Sequence, residues 1–421
     1  MTKHFFRKSV ARILARQVRR LYKKNSFKTV VVVGSVGKSS TKRAIAEYLG
    51  SQYRVQYQQG NYNDLITVPL VYFGLPLTSL FNPFSWLKKF YKIERQLRRP
   101  YEYDVVVLEL GTDGPGQINQ FAEFIRADIA VVTAITAEHM EFFGSLDQVA
   151  SEELSVANFA DTLLINIDDV PEQYLEDREY MSYGTSKQAD ARTIQKQRNT
   201  VSLSYQGKSV ELKTRLAGLH SQKVLAAAFM TAGALNMPVD DQAKALSKIS
   251  AMPGRMQLLQ GKEHMTIIDD TYNASPEAVI AALDTLYAMD TQSKIAVLGN
   301  MNEMGGFSKA AHEQVARHCK SEKLDKVIVL GKEAELFLAP LAKAHGNDVK
   351  VFHSPYDIGE YLAEYAPAGS AILFKGSQNG VFLEEAIKPL LVDSADKNKL
   401  VRQSKSWLKK KQHQFAKAKY S

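Results

Sequence analysis

Seven residues, Gly34-Ser35-Val36-Gly37-Lys38-Ser39-Ser40, have the types and spacing needed to grip phosphate. Glycines let backbone N–H groups turn inward, and a helix starting at the lysine would add the positive end of its dipole. Lys38 can then reach the outer phosphates, and the Ser39 hydroxyl can ligate Mg²⁺. The commoner form of this loop has a further glycine six residues before the lysine, where this chain has Val32. The shorter pattern also suits a tight strand–helix turn with a chance lysine, so its neighbours must decide. Two more groups join the list of reactive candidates. Glu109 closes the apolar run Val105–Leu108, and His139 follows the run Ile129–Thr133.

The neighbours are the elements such a loop requires. Val30–Val33 is an unbroken β-branched run, as expected of a strand buried on both faces, and Lys42–Leu49 has helix-forming composition. Strand, loop and helix together favour nucleotide binding. Asp104–Gly111 and Ile129–Thr133 read as further strands of the same sheet, which places Glu109 and His139 at strand ends, where open parallel sheets bind ligands. Residues 186–215 alternate polar and apolar positions, suggesting a small β excursion. After Met252-Pro253-Gly254-Arg255 a second α/β series begins, with strands expected at Thr266–Asp269, Ile295–Leu298, Lys326–Leu330 and Ala371–Phe374. The fold class is therefore α/β: a central phosphate-loop domain with a parallel sheet, then a doubly wound domain lacking its own phosphate loop.

The net charge of +9 divides unevenly. Residues 1–28 hold ten Lys or Arg and no acid, and residues 397–421 hold nine and none. The remainder is acidic, which argues against nucleic acid as a partner. Residues 1–28 form a basic segment with apolar positions at Phe6, Val10, Ile13, Leu14, Val18 and Leu21. That helical stripe suits either packing on the first domain or lying in the plane of an anionic membrane. The expected divisions are 1–28, 29–251, 252–396 and a basic tail at 397–421. Residues 76–103 read mainly as a helix with a buried aromatic face, a second surface-binding element being the alternative. One cysteine, Cys319, excludes an internal disulfide. A cytoplasmic monomer is expected, with contact at the inner membrane face left open.

Several stretches in order resemble the Mur ligase family: Gly34–Lys42, Gly60-Asn61-Tyr62-Asn63, Leu108–Gly111, His139 with Phe143–Leu146, Pro253–Arg255, Asp269–Pro276, Leu298–Gly305 and Lys375-Gly376-Ser377. The resemblance implies ATP-dependent amide ligation through an acyl phosphate with Mg²⁺, and two domains, the second Rossmann-like, that close on each other. It implies peptidoglycan precursors as substrates, a muramoyl-tripeptide and D-Ala-D-Ala. It assigns Lys38 and His139 to catalysis, Ser39, Glu109 and again His139 to the metal, and Gly34 to Ser40 with Arg255, Asp270, Tyr272 and Asn273 to the nucleotide. Asn61, Asn63, Lys375 and Ser377 fall at substrate positions.

This chain departs from the family pattern in places. Glu153 stands where relatives carry a carbamylated lysine, so a glutamate is expected to supply that carboxylate for metal binding and catalysis. His220-Ser221 replaces a His-Asn pair, and Asn300 an aspartate. About 30 residues precede the loop, where relatives carry a uridine-nucleotide domain. A Mur-ligase-like synthetase acting on a lipid-linked or other carboxylate, by amidation or polyglutamate-type ligation, is the alternative reading.

Overall fold

The computed structural model describes residues 2–58, 60, 62–79, 82–136, 140–197, 199–214, 216, 218–237 and 242–416. The chain forms two compact units, Met1–Thr214 with Gln222–Ile249 and Arg215–Ser221 with Ser250–Ser421. Among the described residues no helix is long and apolar enough to cross a membrane.

The strands of the first unit are β1 (Lys28–Val33), β2 (Val55–Tyr57), β3 (Val105–Glu109), β4 (Ala127–Val132), β5 (Ala160–Asn166), β6 (Met181–Gly184), β7 (Ala191–Gln197), β8 (Thr200–Tyr205) and β9 (Lys208–Lys213). They form one sheet in the order β2-β3-β1-β4-β5-β6-β7-β8-β9. Pairing is parallel from β2 to β7, and β7-β8-β9 is an antiparallel meander. The expected β excursion thus extends the sheet edge. The valines of β1 are buried on both faces. Register pairs Val32 with Glu109 on one side and Val131 on the other, so all three strands end level with the glycine loop.

Helices α1 (Thr2–Lys24), α2 (Lys38–Leu49), α3 (Thr67–Tyr72), α4 (Pro83–Gln96), α5 (Gln117–Phe121), α6 (Met140–Phe143), α7 (Leu146–Leu154), α8 (Leu219–Ala234) and α9 (Gln242–Ser247) accompany this sheet. The apolar stripe of α1 is not free. Val10, Leu14, Val18 and Leu21 are buried in the same core as Tyr72, Trp86, Ile93 and Phe124. Its flank meets α4, where Gln17 Nε2 and Arg20 Nη2 donate to the Glu94 carboxylate at 2.8 and 3.0 Å. Of the two fates open to that stripe, packing is the one observed. Leu14→Ala should cost about 2–5 kcal/mol and lower Tm by on the order of 10 °C. An unchanged melting curve would mean the helix adds nothing to the fold.

The second unit contains β10 (Gln257–Gln260), β11 (Thr266–Asp270), β12 (Lys294–Gly299), β13 (Lys326–Leu330), β14 (Val349–Phe352) and β15 (Ala371–Lys375), in the order β10-β11-β15-β12-β13-β14. Only β10 pairs antiparallel. Its helices are α10 (Pro276–Tyr287), α11 (Ser308–His318), α12 (Ala339–Ala344), α13 (Pro355–Tyr365), α14 (Glu384–Ile387) and α15 (Lys405–Ala416). Alternate strand residues enter two different cores. Ile268, Leu298, Val329 and Leu373 face one, while Ile267, Val297, Ile328 and Ile372 face the other. That is the doubly wound arrangement, with both faces covered.

The described part of the basic tail does not stand apart as its charge suggested. Lys411 of α15 is fully buried, its ammonium 2.7 Å from carboxylate oxygens of both Glu384 and Glu385. Two acids of α14 draw the tail into the unit.

Candidate active site

The phosphate loop connects the C-terminal end of β1 to α2. Gly37 caps α2 at φ 86°, and Gly34 lies at φ 120° with its Cα facing the chain after β4. A Cβ at Gly34 would fall 2.4 Å from Thr133 Oγ1 and 2.8 Å from the Ala134 nitrogen, so only glycine fits. Thr133 braces the loop, its hydroxyl donating to the carbonyls of Val33 and Val36 at 3.0 and 2.6 Å. Ser35 Oγ donates to the Thr136 carbonyl and accepts from the Thr136 amide. The loop is held from below, leaving a preformed cradle.

Within the cradle the Lys38 ammonium folds back onto the carbonyls of Gly34 and Ser35, the latter at 3.1 Å. Ser39 Oγ donates to Glu109 Oε1 at 3.1 Å. The other Glu109 oxygen is 3.0 Å from Lys42 Nζ in a buried ion pair. Lys42 escaped the sequence reading, although its place one turn after Ser39 puts both on one side of α2. Gln58 also escaped it. Its side chain accepts from the Glu109 amide at 2.5 Å and donates to the Glu109 carbonyl, fixing the strand end.

Glu152 and Glu153 are neighbours on α7, both buried, and they serve different loops. Glu152 accepts from the amides of Gly116 and Ile118 and from the Thr112 hydroxyl, capping α5. Glu153 Oε2 accepts from the Gly34 amide at 2.7 Å, which puts the expected acid on the phosphate loop itself. Asn63 lies against Gly111, just beyond Glu109, where a Cβ on the glycine would be 2.3 Å from its side-chain nitrogen. His139 and Asn61 lie outside the described residues. Among the described residues no three His, Cys, Asp or Glu side chains form a metal cluster. The Ser39 hydroxyl and the Glu109 carboxylate meet, and Glu153 stands on the Gly34 amide; all three offer hard oxygens of the kind Mg²⁺ takes, an ion that keeps several waters and uses few protein ligands.

The second unit gathers its own candidates. The Arg255 guanidinium stacks 4.2 Å over the Tyr272 ring. Lys375 is buried at the end of β15, 2.8 Å from Asp270 Oδ2 and donating to the Asn273 carbonyl at 2.6 Å. Ser377 Oγ accepts from the Asn302 amide at 2.8 Å and donates to the Ala274 carbonyl at 3.4 Å. Positions expected to hold nucleotide and those expected to hold peptide substrate thus share one hydrogen-bonded network. Beside them Asp269 is pushed up to about 6 by burial, against the lowering effect of hydrogen bonds from Thr271. Arg402 was not anticipated. It donates to the carbonyls of Thr271 and Tyr272 at 2.6 and 3.2 Å while both its outer nitrogens and Nε serve the loop and the Glu384 carboxylate.

The chain matches the Mur ligase middle domain over residues 32–232 and the Mur ligase glutamate ligase domain over 254–378. It is 30% identical over 377 residues to the UDP-N-acetylmuramoyl-tripeptide–D-alanyl-D-alanine ligase of Bacillus subtilis, covering 86% of this chain and 76% of that protein. The crystal structure of MurF from Acinetobacter baumannii aligns over 90% of this chain and 79% of its own, with TM-score 0.73 at 21% identity. MurF from Thermotoga maritima, solved in complex with ADP, aligns over 90% and 83% with TM-score 0.73 at 23% identity. Glycine cradle, doubly wound second unit and sequence likeness agree: the chain belongs to the Mur ligase family of ATP-dependent ligases.

Proposed function

We propose that this chain joins D-Ala-D-Ala to a muramoyl-tripeptide at the expense of ATP. The observation that carries the reading is the Ser39–Glu109–Lys42 cluster at the mouth of a braced glycine cradle, in a chain similar along most of its length to dipeptide-adding ligases. The γ-phosphoryl group passes to the terminal carboxylate of the tripeptide, giving an acyl phosphate and ADP. The dipeptide amine attacks the acyl carbon, and the tetrahedral intermediate expels phosphate to leave the amide. Phosphoryl transfer needs charge stabilisation more than covalent help. Lys38 supplies it to the β- and γ-phosphates. Ser39, Glu109 and Glu153, with His139, would hold Mg²⁺, which when bound neutralises phosphate charge. In the second unit Arg255, Asp270, Tyr272 and Asn273 take the nucleotide, and Lys375 and Ser377 the carboxylate end of the peptide substrate. Asn61 and Asn63 contact substrate on the first unit.

The test is to incubate the protein with ATP, muramoyl-tripeptides and D-Ala-D-Ala and to weigh the products. A mass increase of one dipeptide, dependent on all three, is expected. Addition of ammonia or a single amino acid instead would assign the chain to the other synthetase branch.

Glu153 has its own test. Its carboxylate needs no carbon dioxide, so activity should be indifferent to bicarbonate. Glu153→Gln keeps an acceptor for the Gly34 amide while removing the charge and turning the second oxygen into an amide donor. Activity should fall by roughly tenfold or more, with a higher Mg²⁺ requirement. An unchanged Mg²⁺ titration would remove Glu153 from the metal site.

A further inference from the structure

Helix α4 is apolar on two opposite sides. Trp86 and Ile93 are buried inward. Outward, Phe84, Leu87 and Tyr91 are 76%, 64% and 71% exposed. Spacings of three and four residues put these three on one stripe. Lys88, Lys92 and Arg95, all exposed, border or continue it, and exposed Arg98 and Arg99 follow. Helix α4 contains one acid, Glu94, and that carboxylate turns sideways to Gln17 and Arg20 of α1. Helix α1 runs beside α4 in the same direction, since Gln17 and Arg20 meet Glu94 while Lys24 reaches the Leu97 carbonyl. Exposed Arg12, Ile13 and Arg16 therefore come one turn earlier along the same flank.

We propose that this α1–α4 face docks the protein on an anionic membrane. Phe84, Leu87 and Tyr91 enter the boundary between headgroups and acyl chains, and the surrounding lysines and arginines meet lipid phosphates. Contiguous exposed apolar side chains mark an interaction surface, and aromatic residues ringed by cations suit the polar–apolar boundary of a bilayer. The charge selects the occupant. A second copy would set cations against cations, whereas an anionic leaflet complements them and lets long basic side chains extend toward the phosphates. The stripe of α1 that the sequence offered for this purpose is buried. The neighbouring helix presents the face instead. The contacts described at the phosphate loop come from elements other than α1 and α4, so the proposal does not depend on which carboxylate is ligated.

Co-sedimentation of the full-length protein with vesicles of phosphatidylcholine, alone or mixed equally with phosphatidylglycerol, tests it. The protein should pellet with the mixed vesicles at low salt, stay in solution with the neutral ones, and leave the membrane as salt rises. Replacing Lys88, Lys92 and Arg95 by Gln should weaken binding by roughly a hundredfold, at about fivefold per cation. Replacing Phe84, Leu87 and Tyr91 by Ser should weaken it by about tenfold or more while Tm and ligation stay unchanged, because these side chains already face water. Three results would overturn the proposal. One is no pelleting of the native chain at low salt. Another is full binding by the serine variant, which would credit cations elsewhere. The third is concentration-dependent self-association that the serine variant abolishes, without vesicle binding, which would make the face an interface between copies.

Discussion

Lys38→Ala lowers kcat/KM for ligation by roughly a thousandfold or more and leaves the melting temperature within a few degrees of the native value. The two expectations rest on different contacts. In the cradle the ammonium satisfies itself on the carbonyls of Gly34 and Ser35, neutral acceptors on a loop that Thr133 and Ser35 already brace. Losing those bonds costs little, since the loop keeps its other supports. In the proposed reaction the same ammonium would exchange neutral carbonyls for phosphate oxygens, and charge-assisted bonds are about twice as strong. Charge shifts onto the leaving phosphate as the γ-phosphoryl group transfers, where the proposed reaction places this ammonium, so the loss should fall more on kcat than on KM. Steady-state kinetics with a melting curve on the same preparation decide the matter. Normal turnover would remove the loop from the chemistry.

Lys411→Met should destabilise the second unit by about 3–5 kcal/mol and lower Tm by on the order of 10 °C. Lys411 is wholly buried and contacts Glu384, Glu385 and the Arg402 carbonyl. Burial alone would raise Glu385, but hydrogen bonds from Lys388 and Lys411 hold it below the usual carboxylate range. Without Lys411, Arg402 still neutralises Glu384, but Glu385 is left to Lys388, whose side chain is partly exposed, so the fully buried set of Arg402, Glu384 and Glu385 carries one uncompensated negative charge. The excess negative charge left in the core is the source of the loss. Glu385→Gln introduced beside Lys411→Met should recover part of the stability, because it removes that excess. A single variant that melts like the native chain, or a pair whose effects simply add, would show that the network is not coupled.

What the sequence made legible was local. The loop from Gly34 to Ser40 sits in seven consecutive residues between a valine run and a helix, so composition alone placed it. The buried strands of the second unit were equally plain, whereas β14 is short and only half-buried and was missed. The Lys42–Glu109 pair joins residues 67 apart, and Arg402 reaches Thr271 across 131. No spacing rule connects such positions. The amphipathic stripe of α1 posed a different difficulty. A helix packing on a domain and one lying on a bilayer need the same pattern, and only the neighbouring Trp86 and Ile93 distinguish them. For α4, a count of aromatic residues could not say which of them would point outward.

The clasp that Arg402 forms on the Tyr272 loop has a consequence for synthesis. Domains emerging from the ribosome fold in order, the N-terminal one first. The phosphate cradle and the described residues that brace it, Asn166 and Asp169 among them, belong to the first unit, which ends at Ile249, so it can be complete while much of the second unit is still untranslated. The Tyr272 loop, though made early in its own unit, waits for Arg402 and for the Lys411 that secures the acids beside it. A nascent chain therefore passes through a stage with a finished phosphate cradle and an unfastened Tyr272 loop. Chains stalled before residue 402 would remain at that stage, competent to grip phosphate but lacking the fastening that the finished protein gives its second unit.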